Sequence, residues 1–141
     1  MEELFIDVNV FMYAAGKPHE YKNPCEKIVD AIEKGKIRAA VDTEIIQEVL
    51  YRYHFLGLSE FGYELSWHII ALKPRILPVD EDTIKLALYY YKKYLQKGIK
   101  PRDALHIASM VQNNLARIIS TDLHFEEVKE ITRIDPARFS F

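Results

Sequence analysis

Two hydrophobic patterns take turns along this chain. Short runs of unbroken apolar residues read as buried strands. Longer stretches, with apolar residues every three or four positions, read as amphipathic helices. Residues 3–8 open with Leu4, Phe5 and Ile6 and predict a first strand, with Asp7 and Val8 at its end. Asn23, Pro24 and Glu26 have the composition of a helix start, as N-cap, N1 and N3, and Cys25, Ile28, Val29 and Ile32 follow at helical spacing until Gly35. Residues 37–41 predict a second strand. Asp42 or Thr43 then caps a helix that runs to about Gly57 on a face of Ile46, Val49, Leu50 and Tyr53.

Ser59 opens another helix, with Phe61, Leu65, His68, Ile69 and Leu72 on one side and Pro74 as its stop. Residues 76–79 predict a third strand. Asp80 caps a helix whose Ile84, Ala87, Leu88, Tyr91 and Leu95 are expected to face inward, closed by Gly98. Pro101 begins the last long helix, with Ala104, Leu105, Ala108, Val111 and Leu115 as its packing stripe. Residues 117–120 and 131–134 complete the set of strands, around a short helical turn near Phe125. Strands separated by helices imply crossover connections. The expected fold is therefore a single α/β domain over residues 1–141, with a central parallel five-stranded sheet flanked by helices.

Composition narrows the function classes. A chain of 141 residues, 49% hydrophobic and 28% charged, carries an ordinary globular core. Its one cysteine, Cys25, excludes an internal disulfide and a thiolate zinc cage. No basic leader and no long apolar run is present, which predicts a soluble cytoplasmic protein without a membrane partner. The formal net charge is −2, so any nucleic-acid surface has to come from local clustering. Gly-rich phosphate loops, dinucleotide fingerprints and serine-hydrolase elbows are all missing.

Four acids stand where a strand pattern ends or a helix pattern begins or turns: Asp7, Glu48, Asp103 and Asp122. Singly, each has an ordinary explanation as a helix cap or a partner of the helix dipole. As a set, gathered at the carboxyl edge of a parallel sheet, they form an oxygen-lined site suited to Mg²⁺ or Mn²⁺. Glu48 follows Ile45 by one turn and adjoins Val49, at the edge of the packed face, whereas its rival Glu44 lies in the first turn, where the dipole accounts for it. Asn9 is expected to share a strand face with Asp7, and Ser120 to hydrogen-bond a ligand carboxylate or a phosphate. His106, one turn after Asp103, is read as structural, and His124 as an outlying substrate contact.

Taken together, these residues resemble the PIN domain, a small metal-dependent nuclease fold. Asp7 with Asn9 matches its first element, Glu48 the helical acid, and Asp103 within Arg102-Asp103-Ala104-Leu105-His106 the late-helix acid. Ser120-Thr121-Asp122 matches the final strand end, with Phe125 as the following aromatic. The resemblance implies a Mg²⁺- or Mn²⁺-dependent endoribonuclease that cuts single-stranded RNA to leave 5′-phosphate and 3′-hydroxyl ends. Asp7, Glu48 and Asp103 would hold the metal, with Asp122 completing or tuning the site. The size resembles the VapC-type toxins, which implies a homodimer and a small antitoxin protein. A PIN nuclease of RNA processing or DNA metabolism without an antitoxin is built alike, and a non-catalytic RNA- or partner-binding scaffold is a further alternative. An aspartyl-phosphate phosphatase is disfavoured because Asn9 stands where a second acid is needed.

Two other concentrations stand out. Lys92, Lys93, Lys97, Lys100 and Arg102 lead into Asp103, and Lys97, Lys100 and Arg102 are the expected substrate contacts. Tyr89, Tyr90, Tyr91 and Tyr94 on one helix, and Phe55, Phe61, Tyr63 and Trp67 on the earlier pair, are candidate association surfaces.

Overall fold

In the computed structural model, which describes residues 1–141, the first strand β1 (Glu3–Ile6) lies at the centre of one sheet. Leu4, Phe5 and Ile6 are all buried, as a parallel strand covered on both faces requires. β2 (Arg38–Asp42) and β3 (Arg75–Leu77) extend the sheet on one side of β1, and β4 (Arg117–Ile119) and β5 (Thr132–Ile134) on the other. Every pairing is parallel, in the order β3-β2-β1-β4-β5. The chain therefore grows outward from β1 twice, in opposite directions. The boundary between β1 and β4 is the switch point at which open α/β sheets leave a crevice beyond the strand carboxyl ends.

Six helices flank the sheet as three packed pairs. They are α1 (Val8–Ala15) with α2 (Lys22–Glu33), α3 (Thr43–Phe55) with α4 (Ser59–Ala71), and α5 (Glu81–Tyr94) with α6 (Pro101–Gln112). The expected five-stranded parallel architecture is thus observed. Four local expectations are not.

The first strand stops at Ile6, because Asp7 caps a helix that begins at once with Val8. Asn9 is consequently a helical residue and shares no strand face with Asp7. Val8 to Tyr13 is rich in β-branched and aromatic residues and gives no helical signal of its own, so packing overrides propensity. α2 begins at Lys22, not after Asn23, and Pro24 is its third residue. Proline is tolerated there because the first N–H groups of a helix have no intrahelical partner.

The third difference is the rotation of α5. Thr83, Ala87, Tyr90 and Tyr94 are buried, whereas Ile84, Leu88 and Leu95 of the expected inward stripe are exposed. Polar tips select this face. The Thr83 hydroxyl donates to Gln112 of α6 at 2.8 Å, and the Tyr94 hydroxyl donates to Glu130 and accepts from the Lys129 N–H at 3.1 Å. α3 is rotated less: Ile45, Val49 and Tyr53 are its buried residues, and Leu50 faces out.

α3 and α4 approach closely at Gly62, where an added Cβ would lie 2.8 Å from the Cβ of Tyr53. That neighbour is attached directly to backbone and has little room to yield. Gly62→Ala is therefore expected to destabilise the chain by about 1–3 kcal/mol through overpacking. Urea denaturation of the two proteins measures it, and an unchanged midpoint would refute the close-packing account.

Candidate active site

Asp7 follows the last residue of β1, and its backbone N–H donates to the carbonyl of Ile119 on β4 at 3.1 Å. The acid is thereby anchored across the switch point. Its Oδ1 accepts from the Val8 N–H at 2.8 Å, and its Oδ2 accepts from the Ser120 hydroxyl at 2.6 Å and from the Asn9 amide at 3.1 Å. Asn9 also donates to Ser120 Oγ at 3.2 Å and accepts from the Thr121 N–H at 3.2 Å. Ser120 Oγ in turn accepts the Asp122 N–H at 3.0 Å. Asn9 and Ser120 thus act on Asp7 and on the loop after β4, and they do so from a helix start and a strand end.

Asp122 caps the short 3-10 turn Leu123–Glu127 by accepting the His124 N–H at 2.9 Å. Asp103, third residue of α6, accepts the Lys100 N–H at 3.1 Å. Both acids therefore keep the capping roles that their positions suggest. Both also line one cleft of about 650 Å³ together with Asp7 and Glu48. The four acids separated by up to 115 residues in sequence share a single wall system. Glu44 does not line this cleft.

Glu48 is reached by a side chain that sequence reading treats as merely structural. His106 of α6 is buried, with Nδ1 2.7 Å from Asp42 Oδ2 and Nε2 2.6 Å from Glu48 Oε1. Asp42 is fully buried and its other oxygen caps α3 by accepting the Ile45 N–H at 3.1 Å. Burial by itself would push the imidazole pKa down, but Asp42 and Glu48 together hold it well above the usual histidine range. His106 is therefore an imidazolium between two carboxylates. Asp42 and this linkage are the parts of the site that the sequence does not announce. Their one visible trace is a histidine on the same helix turn as Asp103.

Asp7 has no such cation in hydrogen-bond contact. Burial raises its pKa from 3.8 to about 6, opposed by the charge on His106 and the Ser120 hydrogen bond and aided by Glu48. Asp103 is raised in the same direction, first by burial and then by Asp122 and Glu48, against its bond to the Lys100 N–H. Carboxylates in this condition are suited to a cation. Ligand atoms of Asp7, Glu48 and His106 lie within 4.8 Å of one another. Both ring nitrogens of His106 already face carboxylates, so the ligand atoms of this group left open to an ion are the oxygens of Asp7 and Glu48, with Asp103 and Asp122 lining the same cleft. An all-oxygen set fits a hard divalent ion.

Cations rim the same cleft. Lys17, Arg52, Lys100 and Arg102 line it, and Lys97 does not. Arg102 also approaches Glu48 Oε2 at 3.7 Å and stands 5.7 Å from the ring centre of Tyr51. Lys93 is paired with Glu130 at 2.6 Å, away from these acids.

The family model of the PIN domain matches residues 4–131. The chain is similar to the Mycobacterium tuberculosis protein named Ribonuclease VapC13, at 28% identity over 131 residues, which is 93% of this chain and 98% of that relative. Its fold is similar to that of Mycobacterium tuberculosis VapC20, described as a sarcin–ricin-loop-cleaving toxin. The TM-score is 0.75 at 10% identity, over 91% of this chain and 96% of that one. It is also similar to DNA-bound VapBC from Salmonella typhimurium, with a TM-score of 0.71 at 16% identity, over 96% and 99% of the two chains.

The two buried groups predict opposite stability effects in the metal-free protein. Folding favours the protonated form of Asp7, so its contribution is fully present below pH 3.8 and is lost as pH rises through about 6. Asp7→Asn is therefore expected to melt at or above the wild-type temperature at pH 7.5, by at most about 3 kcal/mol, and to lose that advantage at pH 4. His106→Leu strands the buried Asp42 and is expected to cost about 3–5 kcal/mol at pH 7.5. Thermal melts at the two pH values decide both. Equal losses in both variants would mean that Asp7 is a structural cap and no more.

Proposed function

This chain belongs to the PIN-domain family, and from that premise we propose that it is a Mg²⁺- or Mn²⁺-dependent endoribonuclease, the toxin of a toxin–antitoxin pair acting in the cytoplasm. The observation that carries the reading is the convergence of Asp7, Glu48, Asp103 and Asp122 on one cleft rimmed by Lys17, Arg52, Lys100 and Arg102. Support for RNA as the substrate comes from the relatives named as ribonucleases.

In this reading Asp7, Glu48 and Asp103 hold the metal, and Asp122 completes or tunes the site. A bound divalent ion supplies Lewis-acid activation of a water and offsets charge on the scissile phosphate. The chain's own residues do the rest. Ser120 and Asn9 hold the Asp7 carboxylate in one orientation by the bonds described above. His106, fixed by Asp42, holds Glu48 toward the cleft and limits the repulsion among the acids. Lys100 and Arg102 contact the backbone phosphates that flank the cut, leaving 5′-phosphate and 3′-hydroxyl ends. Lys97 lies outside the cleft lining and is assigned no more than a distal phosphate contact.

The partner reading has its own support. Phe55, Leu56, Leu58, Phe61, Tyr63 and Trp67 are exposed along the α3–α4 edge, and Leu56 also lines the cleft. Apolar surface of this kind on a soluble fold calls for a covering partner. Ile84, Leu88, Tyr89 and Leu95 on α5 form a second exposed apolar face. We assign one to a homodimer and the other to an antitoxin whose chain reaches the cleft.

Single-stranded RNA incubated with the chain is expected to be cut with Mn²⁺ or Mg²⁺ and left intact with chelator. Glu48→Gln and Asp103→Asn are expected to lose about two orders of magnitude or more in rate, and Glu44→Gln to stay near wild type. Cleavage that survives in both acid variants, or cleavage of DNA alone, would overturn the assignment. Light scattering at micromolar concentration is expected to report a dimer, and expression of the wild type to arrest growth. A monomer without growth arrest would leave a nuclease without the toxin role.

A further inference from the structure

The α1–α2 connection carries three aromatic rings that the acid site does not use. Asn9, Met12, Tyr13 and Gly16 line the cleft at i, i+3, i+4 and i+7, so one face of α1 forms its wall. Tyr13 lies one helical turn beyond Asn9, about 6 Å along the axis, and Asn9 is bonded to Asp7. Past the helix end, Lys17, Pro18 and His19 continue the same wall, and all three are exposed.

The His19 ring stacks on Tyr13, with centroids 4.7 Å apart and planes 29° from parallel. Tyr21 lies 6.0 Å from His19 at 13° and 5.4 Å from Tyr13. If His19 were sandwiched, the two tyrosines would stand apart by nearly the sum of their distances to it. They are much closer than that, so the imidazole is not sandwiched between them, and this exposed residue keeps a ring face that neither tyrosine stacks on.

The ring is also held still. The Tyr21 N–H donates to His19 Nδ1 at 3.1 Å, which leaves Nε2–H as a free donor. Lys22 ties the loop down by donating to the carbonyls of Ala14 at 3.0 Å and Gly16 at 2.7 Å, and the Tyr21 hydroxyl donates to Asp135 at 3.0 Å. A flat, prepositioned π-face at the rim of a cation-lined cleft fits one kind of occupant. Unpaired nucleobases stack on such faces while the neighbouring phosphates meet lysine and arginine.

We propose that the open face of His19, backed by Tyr13 and Tyr21, is a stacking subsite for one unpaired base of the RNA beside the scissile phosphate. The proposal rests on the ribonuclease reading above and deepens it by giving that site a base-contacting wall. Lys17, two residues before His19 in the chain, supplies a phosphate contact on the same wall. The subsite selects single-stranded substrate, because a paired base has both faces covered by its neighbours in the helix.

The test uses the full chain in chelator, so that the RNA remains uncut, with single-stranded oligonucleotides carrying 2-aminopurine at successive positions. On wild type, fluorescence is expected to be quenched at one position in the register. His19→Ala is expected to abolish that quenching and weaken binding about tenfold. His19→Phe, which keeps a ring but not the Nε2–H, is expected to restore both. The substituted residue is exposed, and melting curves check that both variants fold. Undiminished binding and quenching in His19→Ala would reject the subsite alone, since RNA would still be bound. Loss in His19→Phe equal to that in His19→Ala would replace stacking by a hydrogen bond and also reject it. Absence of any RNA binding by wild type would reject the ribonuclease reading together with the subsite.

Discussion

Four carboxylates are brought to one cleft with one buried cation among them, and the arrangement of the surrounding fold follows from that imbalance. His106 is a buried charge set between one fully buried carboxylate and one at the cleft wall. It is held by Asp42 from the end of β2 and by Glu48 from the middle of α3. A histidine on α6 therefore fixes how α3 and the sheet edge sit relative to each other. Asp7 and Asp103 lie outside that pairing, and their pKa values are raised first by burial and then by neighbouring acids, against the charge on His106. Affinity for a cation is in this sense a property of the whole cluster rather than of any single acid.

Much of this was legible in the sequence, for identifiable reasons. The five strands were legible as unbroken apolar runs, since a parallel strand buried on both faces leaves no alternation to misread. Asp7, Asp103 and Asp122 were visible because each ends a strand or opens a helix, and Glu48 because it adjoins the packed face of α3. Asp42 was visible only as a cap. Its second role depends on a contact with His106 across 64 residues, and no local pattern encodes that. α1 was hidden because Val8, Val10 and Phe11 suit a strand as well as a helix, and burial at the sheet edge decides between them. The inward face of α5 was misassigned for the converse reason. Leucine and isoleucine marked one stripe, but threonine and tyrosine, whose hydroxyls find partners at Gln112 and Glu130, occupy the core.

Exposed leucine on α5 and exposed aromatics on α3 and α4 leave two apolar faces, and the cleft opens beside one of them. Under the proposed function, binding of a partner and access of substrate are coupled by geometry alone, because Leu56 is exposed beside the aromatics and also lines the cleft. The α1–α2 loop forms the other rim and makes no use of those faces. Substrate contacts and partner contacts can therefore change independently on that side.

Parallel pairing sets Ile6 level with Ile119. Asp7 and Ser120 are the residues directly after the two strands, and the 2.6 Å bond between them exists only in this register. A strand side chain changes face with every residue, so a slip of one position between β1 and β4 would turn the serine away from the acid. The β1–β4 ladder thus serves as the ruler of the site: the apolar residues that fix how the two strands align also decide, several ångströms away, which oxygen faces which. Core substitutions at Phe5 or Ile118 that leave the fold intact but loosen the alignment would blur the chemistry without touching any polar residue.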